Sequence, residues 1–349
     1  MHQLSKAAFL SALIPYLVGC TSVTPIKSLT PITVSTRPPE EPVPEEYKED
    51  VAFIHDVREF GFEKLGLYSG SNHFKHYNDG SKTPPRSLYN LLVTKTTIIP
   101  DGRSHNIPIT SLQAYRMDIA DYAYFWSHSD TLEDERDYYQ KEGYDVFWRT
   151  ETSYNSTIDH KGSPITPEFL SKEKLSQAHT IEHEICHDTI KKQHGTNFPA
   201  SIDEAYCSMV ERAGAMLYFK ERQGEQSPSY LAAVVDLENH LQFSAQVNSL
   251  WKRLDTLYVN PKLTEDEKLQ QREKLLVEAR ELLQRPEADN ADIWDWYTYT
   301  KHYPFMIEFY RSYGDVATTM KLMEMCPKTE EGAVKYMAGL IETKKIKKE

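Results

Sequence analysis

The chain has 349 residues, 40% of them hydrophobic and 11% aromatic, enough to bury a good core in one large domain or two. Acidic residues outnumber basic ones by 52 to 40, a formal net charge of −12. That balance argues against a sequence-independent hold on nucleic acid, which needs a basic surface, so no nucleic-acid partner is expected and the basic run Lys344–Lys348 reads as a solvated helix end.

In chain order, the first feature is "MHQLSKAAFLSALIPYLVGC", with one lysine and then an apolar run from Ala7 to Gly19. The run is too short to span a bilayer comfortably and has the length of a signal-peptide core. It ends in Leu17-Val18-Gly19-Cys20, which resembles the lipobox of bacterial lipoproteins. The resemblance implies a signal peptide over 1–19, cleavage before Cys20, and lipidation of Cys20. The acyl chains (palmitate among them) would hold the protein at a membrane of the bacterial cell envelope. Thr21 rather than aspartate follows the cysteine, which favours the outer membrane in a Gram-negative host. Residues 20–46, rich in Pro, Ser and Thr, read as the lipidated cysteine and a tether. The folded part is expected over 47–349. Beyond Cys20 only Cys186, Cys207 and Cys326 remain, an odd number with no evident disulfide framework.

Residues 46–67 carry Val51, Ile54, Val57, Phe60 and Leu65 at helical spacing and predict a first helix. "YNLLVTKTTIIP" from Tyr89 predicts a strand, "YRMDIADYAYFW" (Tyr115–Trp126) fits strand or helix, and a charged helix ending at Gly143 precedes a strand from Tyr144 to about Thr157. Helix then dominates. One helix is expected over Ser171–His194 with Gly195 as its stop, and another opens at Ser201. Ser227-Pro228 starts a long helix to about Leu257, and Thr264–Glu267 is a capping box for the next, which together predict an antiparallel hairpin. The expected fold class is α+β, a small mixed N-terminal part (about 47–165) with an edge strand, next to a mainly helical, zincin-like C-terminal part (about 166–349).

"HEICH", His183 to His187, lies on one of these helices. A helix places residues i and i+4 on one face, so the imidazoles of His183 and His187 can meet one ion, and Glu184 lies about 100° round the axis. A catalytic zinc site needs three protein ligands and an open position for water. His194-Gly195 is in the wrong order for a third histidine after a glycine turn. Glu204, near the start of the following helix, supplies a carboxylate, and Ser208 and Glu211 lie one and two turns on as partners behind the ligands. Two other readings stay open: Glu204 as the reciprocal arm of a capping box with Ser201, and Asp203 as the ligand in its place. His179, one turn before His183, reads as a residue behind the site or along a substrate cleft.

The pairing of His183-Glu184-x-x-His187 with Glu204 resembles the gluzincin zinc peptidases. Further stretches resemble one bacterial group within them, the "putative aminopeptidase" family, whose members are often lipoproteins. These are "FGFEKLGLYSGSNHFKHYND" (Phe60–Asp79), "EGYDVFWRTETSYNST" (Glu142–Thr157), "FPASIDEAYCSMVERAG" (Phe198–Gly214) and "TYTKHYPFMIEFYRSYGD" (Thr298–Asp315). In the third, Asp203 stands where the family has asparagine. The resemblance implies one Zn2+ per chain on His183, His187 and Glu204, a peptide substrate, and Glu184 as general base. It also implies an edge strand at Tyr154–Thr157, with Tyr154 and Ser156 pairing with substrate backbone. Tyr299 is the candidate oxyanion donor with His302 behind it, and Glu151 a candidate for holding a free amine. The competing readings are a zinc endopeptidase or other envelope amidohydrolase, and a non-catalytic surface lipoprotein acting in binding or assembly.

Overall fold

The computed structural model describes residues 42–79, 88–95, 118–119, 122–127, 137, 140–141, 144–151, 162–195 and 198–346. Helix α1 spans Lys48–Lys64. Strands β1 (Leu88–Lys95), β2 (Asp118–Ile119), β3 (Tyr122–Ser127) and β4 (Tyr144–Glu151) follow. A short helix α2 (Pro167–Leu170) leads to α3 (Lys174–His194), α4 (Ala200–Gln223), α5 (Pro228–Tyr258), α6 (Glu265–Leu283), α7 (Asn290–Thr300), α8 (Tyr303–Tyr313), α9 (Val316–Met323) and α10 (Glu330–Ile346).

The expected α+β fold class is corrected by this inventory, because the described residues are mostly helical. The strands form one small antiparallel sheet of order β2-β3-β1-β4. Among the described side chains, the main hydrophobic cluster draws on α1, the 65–77 segment, Ile165, α2 to α5 and α8 to α10. Phe147 of β4 instead packs with Ala291 and Trp294 of α7 in a separate small cluster. The β-branched and aromatic runs do make strands, but the core that positions the histidines is helix on helix. Of the expected charged helix before Gly143, residues 137, 140 and 141 are helical.

Local sequence explains the helix ends. Gly195 stops α3 at φ 75°, a conformation that glycine adopts without a steric cost. Ser227 caps α5, accepting from the Tyr230 N–H, with Pro228 at the first helical position. Thr264 and Glu267 form the expected reciprocal box at α6. Helices α5 and α6 fold back on one another, with Arg253 pairing to Glu278 and Leu250, Leu254 and Leu257 packing against Leu276 and Ala279. The alternative capping box at Ser201 is not formed. Pro199 is the residue before α4, and the Ser201 hydroxyl donates instead to Glu330 Oε2 at 3.0 Å. No helix among the described residues is long and apolar enough to cross a membrane.

The 71–79 segment is laced to the chain just before α2. The N–H of Phe74 donates to Ser163 O at 2.6 Å, Ile165 N–H to His76 O at 2.8 Å, and Asn78 N–H to Ile165 O at 2.9 Å. Gly162 (φ 68°) allows this approach, since a Cβ there would stand 2.5 Å from the backbone of Asn72 and His73. The lacing sets His73 against α3, its Nε2 3.9 Å from Asp188 Oδ2.

Candidate metal centre

Helix α3 turns Ala178, Ile181, Ile185 and Ile190 into the core, each at most 1% exposed. That stripe leaves His183 and His187 on the edge facing α4, whose own core residues include Ile202, Ala205, Met209 and Ala213. The two histidine rings lie 4.6 Å apart, edge to face. Their Nε2 atoms are 3.0 Å apart, and Glu204 Oε2 lies 3.3 Å from each. A tetrahedral cation about 2.0–2.1 Å from each ligand would set their mutual separations near 3.3 Å. The triangle therefore has the size of one metal-binding face. His183, His187 and Glu204 form a group that can hold a metal ion. Glu204 Oε2 is buried and has no hydrogen-bond partner among the described residues. A carboxylate oxygen in that state, aimed between two imidazole nitrogens, is chemistry that a cation completes.

Why Glu204 is free for this role follows from the start of α4. With Pro199 before the helix and Ser201 engaged by Glu330, the capping-box alternative for Glu204 is absent. Asp203 does not join the triangle. Its Oδ1 lies 3.1 Å from Nδ1 of His187, the back of that ring. Glu211 Oε2 lies 2.6 Å from Nδ1 of His183 and also pairs with Arg212. Each histidine thus has a carboxylate behind it, an arrangement that fixes ring orientation and raises basicity toward a metal. Burial opposes charge on His187, but Asp203 and Glu204 outweigh it and hold its pKa well above the usual imidazole value. Glu204 is also opposed by burial, yet His187 and His183 hold its carboxyl far below the ordinary range. Without a metal the pocket thus favours a proton on His187, which a cation would displace.

The other residues singled out in the sequence fall in different places. Glu184 is buried at 7% exposure. Tyr299 brings its ring centroid to 6.3 Å from that of His183. His302 Nε2 lies 2.9 Å from Glu330 Oε1, in a cluster with Lys301 and Ser201 that ties α10 to the start of α4. His179 Nε2 sits 3.7 Å from Asp236 Oδ2 of α5. Burial, then Arg212 and His183, depress the His179 pKa to about 3, so the ring is neutral at ordinary pH. Ser208 is buried, and its carbonyl accepts from Arg212 at 3.4 Å. Tyr154, Ser156 and Cys20 lie outside the described residues, as does the side chain of Glu151 at the end of β4.

Sequence reasoning missed the network behind Glu211. Arg212 pairs with Glu211 and has Nε 3.2 Å from Asp236 Oδ2, which links the back of His183 to α5. His73 was missed too. It is 2% exposed, accepts at Nδ1 from the Ser163 N–H at 3.0 Å, and burial lowers its pKa to about 4. Its only signal was its position in the 60–79 stretch.

Helices α3 and α4 close on one another at Gly214. A Cβ there would overlap Glu182 Oε2 of α3 and stand 2.6 Å from Leu65 Cδ1. Glu182 is fully buried, with both carboxyl oxygens lacking hydrogen-bond partners among the described residues, and burial raises its pKa well above the carboxylate norm.

A family model described as putative aminopeptidase matches residues 27–327. No curated protein and no solved structure matches the chain.

Proposed function

The chain belongs to the putative aminopeptidase family, which carries a peptidase-like function, and from that premise we propose that it is a zinc-dependent peptidase of gluzincin type. The observation that carries the metal dependence is the triangle of His183 Nε2, His187 Nε2 and Glu204 Oε2, with edges of 3.0 and 3.3 Å and an otherwise unpartnered carboxylate oxygen. Two imidazoles and one carboxylate suit zinc, and three protein ligands leave a position open for water. Bound there, zinc would supply Lewis-acid polarisation of the scissile carbonyl and a water acidic enough to lose its proton near neutral pH.

The chain's own residues supply the rest. Glu184 takes the proton from the attacking water and passes it to the leaving amine. Glu184 is buried on the same helix, next to His183 in the chain. Glu211 and Asp203 hold the two imidazoles in place from behind. Tyr299, with its ring beside that of His183, is the donor we assign to the developing oxyanion. Tyr154 and Ser156 would pair with an extended peptide, and Glu151 would hold its free amine. The lipid on Cys20 would anchor the enzyme in the bacterial cell envelope.

Metal content by mass spectrometry, on the purified chain beside Glu204→Ala and Glu184→Gln variants, tests this reading. One zinc per chain in the parent and in Glu184→Gln, and sharply less in Glu204→Ala, is the expected result. Glu184→Gln should also lose about 10²–10⁴-fold in peptide turnover. Equal, negligible zinc in all three proteins would return the chain to a binding or assembly role, and full activity in Glu184→Gln would remove Glu184 as the base.

A further inference from the structure

We infer that Cys186 and Cys207 form a disulfide that pins α3 to α4 beside the metal-binding triangle. Both side chains are fully buried, and their Sγ atoms lie 2.6 Å apart across the two helices. Even carbon atoms, smaller than sulfur, rest about 3.5–4.0 Å apart when not bonded. The pair is therefore held closer than two thiols rest, with only a small approach left to the ~2.05 Å of a sulfur–sulfur bond. The third described cysteine, Cys326, follows α9 and is also buried.

Placement gives the bond a purpose. Cys186 immediately precedes His187, and Cys207 lies three residues beyond Glu204, so the cross-link falls in the same layer of the helix pair as the ligands. The thiol of Cys207 also faces the site, with Sγ 3.5 Å from both His187 Nδ1 and Asp203 Oδ1. His187, Asp203 and Cys207 form a second group that can hold a metal ion, and it shares His187 with the first. In the reduced protein Cys207 offers a sulfur atom as a second, softer donor on the far side of His187. In the disulfide that donor is gone, and the group of His183, His187 and Glu204 stands alone.

The step is an exchange with an external disulfide, either a dithiol–disulfide oxidoreductase or glutathione disulfide. Two S–H bonds break and one S–S bond forms between Cys186 and Cys207. The two electrons and two protons leave with the oxidant, whose own S–S bond becomes two thiols. Both sulfurs are sealed in the folded protein, so the exchange belongs to folding, before α3 and α4 close.

The bond can be tested without zinc, substrate or an envelope location, so its outcome is independent of the peptidase reading. The full chain is refolded in glutathione disulfide, its remaining thiols are alkylated in denaturant, and tryptic peptides are mapped with and without reductant. The expected result is one linked peptide joining Cys186 to Cys207, with Cys20 and Cys326 alkylated. Melting should be lower by several degrees in protein reduced in denaturant and refolded with reductant present, and a Cys186→Ser/Cys207→Ser protein should show no such difference. Alkylation of both cysteines without reductant, or random pairing with Cys326, would overturn the inference.

Discussion

Two pairs of helices in this chain are closed by different means. Helices α3 and α4 share an apolar core that includes Ile181, Ile185, Ala205 and Met209, and add to it buried polar and small groups: Glu182 over Gly214, Cys186 against Cys207, and carboxylates behind each histidine. The far ends of α5 and α6 meet through Leu250, Leu254, Leu257, Leu276 and Ala279, with the exposed Arg253–Glu278 pair at 2.5 Å alongside. Apolar area is non-directional, so the second contact gives stability without fixing any one atom. Buried polar groups are costly unless satisfied, so the first contact fixes atoms and accepts a penalty for doing so. The difference marks the candidate site: its ligand atoms sit where polar groups are buried.

That contrast can be broken at either end. Truncating Leu254, which is fully buried in the distal cluster, should cost about 2–5 kcal/mol of stability by leaving a cavity. Metal affinity should be unchanged, measured by calorimetric titration at a temperature where the variant is folded. A parallel loss of metal affinity would show that the hairpin braces the site. Glu211→Gln probes the other end. It keeps the shape but weakens the hold on His183 Nδ1, and should lower metal affinity about 10–100-fold with the fold intact by circular dichroism. Unchanged affinity would reduce Glu211 to a partner of Arg212 alone.

The smallest effect expected is a pH dependence at the seam between α4 and α10. Hydrogen bonding by His302 first, and then by Lys301 and Ser201, lowers the Glu330 pKa from 4.5 to about 2 against the opposing effect of burial. A depressed carboxyl stabilises the fold above its unfolded pKa. This contribution should therefore be present above about pH 4.5 and be lost as pH falls toward 2. The group is 39% exposed, so solvent screening should keep the effect under about 1 kcal/mol. Denaturant melts of the parent and Glu330→Gln between pH 5 and pH 3 should converge on acidification, and parallel curves would place the ionisation elsewhere.

Much of this was legible from residue types at short range. The i, i+4 histidines, the stop at Gly195, the Ser227-Pro228 start and the Thr264–Glu267 box each depend on neighbours within one turn. The grouping of Glu204 with the two histidines was legible because the helix that follows has little choice but to run back along α3. The fold class was not, because strand-forming runs reveal that strands exist but not how much of the chain the helices take. The cap at Ser201 was misread for a related reason. Its hydroxyl is claimed by Glu330, 129 residues away, and no local pattern reports such a partner. Arg212 and Asp236 were invisible for the same cause: each is an ordinary helix-surface charge until α5 is laid across α4.

Gly214 leaves room for two side chains from other elements. Glu182 occupies the volume where a methyl group at position 214 would stand, and Leu65 fills the other side. Both neighbours are the far ends of flexible side chains, so an alanine there is taken up first by Glu182 and Leu65 turning aside within the buried seam. Glu204 rides on α4, whereas His183 and His187 ride on α3. Whatever volume those side chains do not absorb therefore falls on the two 3.3 Å edges of the candidate site and not on the 3.0 Å edge within α3.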